Sequence, residues 1–194
     1  TATAGNGLNT GDGIRQTNTD TAGINLYANN IIYGSFAMGI IQYSISNSET
    51  RIYNNTFHGM SDRAISSYSD GNSTIYVANN IAVSSGTADY DVGGLDSSQT
   101  NLSSDATSPQ TALRNITLDF VSTTAGSEDF HLNASDTEAI DAGTDLSGDG
   151  FFTDDIDGVT RSGTWDIGAD EYVAAITDLS IHASECVGSD GHLA

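Results

Sequence analysis

The sequence predicts an all-β fold, a single-stranded parallel β-helix of about four 25-residue coils followed by an acidic, irregular C-terminal cap. A pair of asparagines recurs in "YANNII", "IYNNTF" and "YVANNI", and the first asparagine of each pair is Asn29, Asn54 and Asn79. Strand-like runs such as "TRIYN" and "TIYVA" alternate with Gly, Asn, Ser and Asp. The chain shows no 10–15-residue segment with the apolar spacing of a helix.

The fixed interval explains why two adjacent amides should return. Three short strands and three turns fill one coil, and equivalent residues of successive coils stack at about 4.8 Å. Asparagine tolerates the left-handed backbone of a coil corner, and stacked amides can form a ladder. We therefore expect Asn29, Asn54 and Asn79 to lie in register. The apolar positions that follow them should point inward: Ile32, Phe57 and Ala82. The units run approximately over 1–23, 24–48, 49–73 and 74–95.

The charge balance narrows the class of partner. Five basic residues face 26 acidic ones, and the formal net charge is −21. Nucleic-acid binding needs basic residues that displace counterions, so we predict no nucleic-acid partner. No run approaches the roughly 18 apolar residues of a membrane-spanning helix, so we predict no membrane insertion. Divalent cations, chiefly calcium, are the partners that so many carboxylates favour.

The acidic residues mark the domain organisation, because 17 of the 26 fall in residues 119–194. We divide the chain into β-helix coils over 1–118, an acidic cap of the same domain over 119–173, and a flexible tail over 174–194. The single cysteine, Cys186, lies in the tail and excludes an intrachain disulfide. This composition, which contains no lysine, suits a secreted or bacterial cell-surface protein.

The sequence predicts an open coil at the amino-terminal end. The chain begins with Thr1 in "TATAGNG", which reads as the middle of a repeat. An open coil exposes unpaired backbone groups that pair readily with another chain. We expect self-association, or contact with an upstream domain, through this coil.

Two sets of motifs carry a family resemblance. The Asn-Asn repeats with a trailing "GI" or "AI" resemble the right-handed parallel β-helix repeats of pectate lyases, bacterial surface proteins and phage tailspikes. "DFHL", "AIDAG", "DIDG" and "DIGADEY", all within residues 118–172, resemble the C-terminal end of secreted β-helix proteins of the choice-of-anchor or polymorphic surface type. The resemblance implies a right-handed coil and secretion. It leaves activity open, since the same fold hosts lyases, hydrolases, adhesins and receptor binders.

The segment "DLSGDGFFTDDIDG" is the densest cluster of candidate metal ligands. Asp145, Ser147 and Asp149 occupy positions one, three and five of an EF-hand-like loop, and a glycine follows at position six. Position twelve, which needs a bidentate acid, holds Ile156. The predicted structural calcium site comprises Asp145, Ser147, Asp149, Asp154, Asp155 and Asp157. The alternative is a cap rich in Asx turns that covers the last coil, with Arg161 paired to an aspartate.

An enzymatic reading requires a base close to cation-stabilised carboxylates, as in pectate-type lyases. The weak catalytic candidates are Arg51, His58 and Arg63. No cluster of acids with a base recurs between adjacent coils, and His58 is expected at the surface. We therefore expect no lyase or hydrolase activity. The alternative is that the chain is a fragment of a polysaccharide lyase or glycoside hydrolase.

Outward aromatic residues favour a binding role instead. Tyrosine faces suit sugar rings, and arginine and amide groups supply polar contacts. The candidate ligand-binding residues are Tyr33, Tyr43, Arg51, Tyr53, Tyr68 and Tyr76. The alternative is that the aromatic ladders only stabilise the sheets. The predicted function is an extracellular or cell-surface module, adhesin-like, for glycan binding or surface assembly. A structural stacking or filament subunit is a further alternative.

Overall fold

The structure is a computed structural model that describes residues 2–3, 11–17, 23–44, 48–69, 73–93, 95 and 97–174. The predicted tail lies outside the described residues apart from Ala174, and so does Cys186. The regular structure of the described residues is β, apart from two short 3-10 helices, Thr111–Leu113 and Ser147–Asp149. Neither helix in this part of the chain has the length or apolar character needed to span a bilayer.

The described residues form thirteen strands, which pair in parallel to build three sheets. Sheet A joins β1 (Ala2–Thr3), β4 (Ile31–Tyr33), β7 (Thr56–His58), β10 (Ile81–Val83) and β13 (Leu102–Ser103). Sheet B joins β2 (Ile14–Thr17), β5 (Met38–Ser44), β8 (Arg63–Ser69) and β11 (Ala88–Val92). Sheet C joins β3 (Ile24–Ala28), β6 (Glu49–Tyr53), β9 (Thr74–Ala78) and β12 (Ser97–Gln99). The all-β prediction is confirmed, and pairing every third strand is compatible with a parallel β-helix.

The strand register follows the sequence period. Arg51 of β6 lies opposite Tyr76 of β9, and Phe57 of β7 lies opposite Ala82 of β10, so both steps are 25 residues as predicted. The step shortens to 21 residues at the end of the stack, where Leu102 of β13 pairs with Ile81. Strands β12 and β13 extend the stack beyond the fourth predicted unit. The repeat did not predict them, because a threonine and an asparagine stand there in place of the asparagine pair.

The two asparagines of each pair have different tasks. The first asparagines adopt left-handed backbone as predicted, with φ of 52° at Asn29, 48° at Asn54 and 55° at Asn79. The predicted ladder, however, is formed mainly by the second asparagines. Their amides donate to the next amide oxygen at 2.9 Å in an unbroken series: Asn30 to Asn55, Asn55 to Asn80, and Asn80 to Asn101. The left-handed residue turns the chain, so its neighbour points into the stack.

The interior of the stack is apolar, as the period predicted. Ile32 is 1% exposed, and Phe57 and Ala82 are fully buried. They belong to one core cluster with residues from all three sheets: Ile40, Ile52, Met60, Ala64, Ile65, Ile75, Val77 and Tyr90. This inward column is therefore confirmed.

Residues 104–116, the end segment, close the stack after β13. The Asn101 backbone N–H donates to Gln110 Oε1 at 2.9 Å, which ends the asparagine ladder. The free edge of β11 is closed by side chains, since Asp89 N donates to Asp105 Oδ2 at 3.0 Å and Tyr90 N donates to Thr107 Oγ1 at 2.9 Å. Backbone groups that would otherwise be orphaned at the edge are thereby satisfied.

Residues 119–174, the outer segment, lie along the side of the stack instead of covering its last coil as we expected. The outer face of sheet A carries Ile31, Ile81 and Leu102, and these pack in one cluster with Phe130 and Ile167 of the outer segment. A sheet that is apolar on both faces must be covered on both, which places this segment there. The motif "DIGADEY" forms no strand within residues 166–172.

We expect Asn55→Ala to destabilise the stack by roughly 2–4 kcal/mol, because partners of a buried amide lose their hydrogen bonds. The Asn55 amide is fully buried and also donates to the carbonyl oxygens of Tyr27 and Tyr53 at 2.9 Å. Urea unfolding followed by circular dichroism measures the change. Asn25→Ala is the control, since Asn25 Nδ2 makes one long bond of 3.5 Å to Glu49 O. Equal losses in the two variants would contradict the ladder.

Candidate functional site

The amides of the first asparagines hold the outer segment against the stack. Asn79 Nδ2 donates to Thr144 O at 2.7 Å, and its Oδ1 accepts from Thr144 N at 2.9 Å. The other two donate to backbone carbonyls further along the segment: Asn29 to Asp154, and Asn54 to Asp166 and Gly168. The same column of asparagines therefore fixes the outer segment to the stack at several points along its length.

Arg161 is the second anchor of the outer segment. It is 4% exposed, and its Nη1 lies 3.0 Å from Glu171 Oε2. Its Nη2 donates to Asn29 Oδ1 at 3.1 Å and to the carbonyls of Gly168 and Ala169 at 3.1 and 2.9 Å. The expected partner was an aspartate; the ion pair is with Glu171. Burial lowers the pKa of Arg161, and the charge of Glu171 opposes that effect.

Buried aspartates serve as acceptors for backbone N–H groups that have no sheet partner. Asp136 and Asp155 are 1% and 6% exposed, and each accepts from three backbone N–H groups. Asp166 and Asp170 are also buried, at 2% and 7% exposed. Burial raises the pKa of Asp166 to about 6, against two backbone hydrogen bonds that lower it. The acidic composition of this segment thus has a structural cause.

The six predicted calcium ligands bond to different partners, apart from Asp145 and Ser147, which bond to each other. Asp149 pairs with Arg51, and Asp157 lies 2.9 Å from His131 Nε2. The remainder bond locally: Asp145 accepts from Ser147 N, Asp154 from the Thr160 hydroxyl, and Asp155 from backbone N–H groups. The structure therefore does not bring the six together. Calcium binding stays a prediction.

His131 joins three parts of the outer segment through carboxylates. Its Nδ1 contacts Asp129, and its Nε2 lies 2.9 Å from Asp157 Oδ2. His131, Asp157 and Asp170 form the single group of three potential metal-ligating side chains among the described residues, with ligand atoms within 4.8 Å of one another. Burial lowers the pKa of His131, but the hydrogen bond that its ring donates to Asp129 and the charges of Asp170 and Asp157 outweigh it and raise the pKa. The contacts of His131 with Asp129 and Asp157 tie together separate parts of the outer segment.

The Arg51 pocket is a cavity of about 300 Å³ between sheet C and the outer segment. Its floor is formed by Arg51, Tyr53, Tyr76 and Gln99 on neighbouring strands, and its wall by Leu146 and Asp149. Because Asn79 binds Thr144, residues 146–149 are held above sheet C. Three of the predicted ligand-binding residues thus line one cavity.

Arg51 organises the pocket. Its Nη1 donates to Asp149 Oδ2 at 2.6 Å, and its Nε donates to Glu49. Its guanidinium carbon lies 4.5 Å from the ring centroid of Phe151 and 5.1 Å from that of Tyr76. Cation–π contacts and two carboxylates therefore fix the plane of the guanidinium. Burial raises the pKa of the Tyr53 phenol, so this ring is neutral at physiological pH.

The other predicted tyrosines lie elsewhere. Tyr33 packs on Phe130 beneath the outer segment, with ring centroids 4.9 Å apart. Tyr43 and Tyr68 stack on sheet B with centroids 5.3 Å apart and planes 9° apart, and Tyr68 is 46% exposed. The structure therefore separates the candidate tyrosines into three groups, one on each sheet.

The three catalytic candidates are not brought together. Arg51 lies on sheet C, His58 on sheet A and Arg63 on sheet B. His58 was expected at the surface, but it is half-buried against Phe130, with ring centroids 4.8 Å apart, because the outer segment covers sheet A. Arg63 pairs with carboxylates at 2.7 and 2.9 Å, those of Asp62 and Asp91.

Sequence reasoning missed several residues of the Arg51 pocket. Glu49 could have been found, since it stands two residues before Arg51 on the same strand face. Phe151 and Leu146 carried no signal, because their contact with sheet C depends on the path of the outer segment. Gln99 belongs to a strand beyond the predicted repeats.

Comparison with known proteins adds no family assignment: the chain matches no protein-family model, no curated protein and no solved structure.

We expect Arg161→Met to release the outer segment from the stack, because Glu171 loses its cation and three backbone carbonyls lose their donor. Breaking one side of a buried ion pair costs about 3–5 kcal/mol. Limited proteolysis with mass spectrometry should show cleavage within residues 119–174 before any cleavage in the strands. Arg63→Met, at the more exposed ion pair with Asp62 and Asp91, is the control. Identical digestion of both variants would count against the anchor.

The contributions of the two histidines in the described part of the chain to stability should depend on pH in opposite directions. The raised pKa of His131 means that its stabilisation is complete below pH 6.5 and is lost as the pH rises through the folded-state value. Burial lowers the pKa of His58, so its contribution is present above pH 6.5 and is lost as the pH falls.

Melting temperatures of wild type, His131→Gln and His58→Gln between pH 5 and about 8.5 test this difference. The gap between wild type and His131→Gln should narrow with rising pH, and the gap for His58→Gln should narrow with falling pH. Two gaps that change in the same direction would contradict the assignment.

Proposed function

We propose that the chain is a right-handed parallel β-helix module of a secreted or cell-surface protein, related to the choice-of-anchor or polymorphic surface type. The parallel strands of three sheets and the 25-residue register support the coil. The motifs of the outer segment support the relationship. Several aspartates of these motifs and Arg161 are buried, which gives them a structural role.

The function that the geometry supports best is glycan binding at the Arg51 pocket. The observation that carries it is the convergence of Arg51, Tyr53 and Tyr76 on one cavity of about 300 Å³. This volume lies at the lower end of the roughly 300–1,000 Å³ range of small-ligand sites. Tyrosine faces stack on the apolar faces of sugar rings, and the arginine and Gln99 offer hydrogen bonds to hydroxyl groups.

Arg51 retains donors for a ligand. A guanidinium has five N–H groups, and the intramolecular hydrogen bonds of Arg51 use Nε and Nη1. The remaining N–H groups can donate to sugar oxygens without breaking either ion pair. The site is held in shape before ligand arrives, which reduces the entropy lost on binding.

Enzymatic activity, calcium binding and association through the amino-terminal coil form no part of this proposal. The described residues place no acid–base pair in the Arg51 pocket beyond the Arg51 ion pairs, so this pocket gives no support to a lyase or hydrolase. Calcium has no joint ligand set among the predicted residues. Association through the amino-terminal coil stays a prediction, because residues 4–10 and 18–22 fall outside the described part of the chain.

A glycan array carrying neutral and acidic oligosaccharides tests the proposal, followed by calorimetry on the best ligand. We expect Tyr76→Ala to weaken binding about five- to thirtyfold, since loss of one stacking ring removes roughly 1–2 kcal/mol. Tyr68→Ala is the matched control, an exposed tyrosine on sheet B, and should leave affinity unchanged. Binding that depends on Tyr68 and not on Tyr76 would move the site to sheet B, and an array without any bound glycan would refute the function.

A further inference from the structure

We infer that the Arg51 pocket selects neutral glycans and rejects uronate-containing ones. The inference rests on the proposed function and names the ligand class that the pocket would take. It depends on the charges around Arg51, which are supplied by Glu49 of β6 and by Asp149 of the outer segment.

Arg51 is the one cation among the residues that line the cavity, and it already forms ion pairs with two carboxylates. Asp149 Oδ2 lies 2.6 Å from Nη1, and Glu49 contacts Nε. One positive charge against two negative charges leaves this group at −1. A uronate would therefore meet a net negative site, in a chain whose formal net charge is −21.

The geometry of Arg51 opposes a uronate for a second reason. Bidentate recognition of a carboxylate uses two parallel N–H groups of the guanidinium. The two edges that offer parallel N–H groups are Nε with Nη2 and Nη1 with Nη2, and each has one nitrogen already bonded, Nε to Glu49 and Nη1 to Asp149. The faces of the guanidinium pack near Phe151 and Tyr76, at 4.5 and 5.1 Å, so the group cannot turn freely toward a new partner.

A neutral sugar meets neither obstacle. Its hydroxyl groups accept from the remaining N–H groups of Arg51 and donate to the carboxylate of Asp149, which still has lone pairs. Its ring can stack on Tyr76. The carboxylates that repel a uronate thus become hydrogen-bond acceptors for a neutral ligand.

Calorimetry at low and high salt measures the affinity of the intact wild-type chain for two sets of ligands. The neutral set is gluco-, xylo- and manno-hexaose, and the acidic set is the hexamers of galacturonate and guluronate. We expect the best neutral ligand to bind at least about tenfold more tightly than either uronate, with a difference that shrinks as salt screens the repulsion. Asp149→Asn should narrow the difference. Asp145→Asn, which makes the same charge change at an exposed residue not bonded to Arg51, should narrow it less.

The outcomes separate the inference from the proposed function. Uronate binding equal to or tighter than neutral binding, with dependence on Tyr76, would overturn the selectivity and leave glycan binding intact. Failure of every hexasaccharide to bind would overturn both. Selectivity that responds equally to Asp149→Asn and Asp145→Asn would show that overall charge, and not the Arg51 group, sets the preference, which also overturns the inference.

Discussion

The structure depends on the different structural roles of the two asparagines in each pair. The first asparagine takes a left-handed backbone, with φ near +50°, and directs its amide away from the stack. The second asparagine is thereby directed inward, where its amide donates to the equivalent residue of the next repeat. An amide both donates and accepts, so one column of identical side chains satisfies itself and fixes the register of the strands on either side.

The outward amides determine where the outer segment lies. They bind its backbone at three heights of the stack, and Arg161 reaches the same column at Asn29. Because the outer segment has no continuous sheet partner, its N–H groups are satisfied by buried carboxylates such as Asp136 and Asp155. Its acidic character therefore follows from an irregular backbone that packs on an apolar sheet face. The Arg51 pocket is a consequence, since its wall is the loop that Asn79 holds.

The 25-residue period was sufficient to predict the parallel strands, the left-handed corners and the inward column of Ile32, Phe57 and Ala82. It was not sufficient to find β12 and β13, because Thr100 replaces the first asparagine and the step shortens to 21 residues. Thr100 still has φ of 48°, so the backbone kept a corner that the sequence motif had lost.

The position of the outer segment could not be predicted, since its contacts join residues up to 132 positions apart, as between Asn29 and Arg161. Local sequence favoured an end cap and a calcium loop for the same aspartates, because a carboxylate suits a cation and a backbone N–H equally well. The sequence did place Arg51, Tyr53 and Tyr76 correctly on the outer face of neighbouring strands. It could not show that Asp149 would complete their surroundings.

Hydrogen exchange of the asparagine side-chain amides, observed by NMR, tests the ladder most directly. The account predicts that the carboxamide protons of Asn55 and Asn80, which are fully buried, exchange far more slowly than those of half-buried Asn25. The protected amides should also show contacts with the amide of the preceding repeat. Carboxamide protons of Asn55 and Asn80 that exchange as fast as those of Asn25 would contradict the ladder on which the register, the outer segment and the pocket depend.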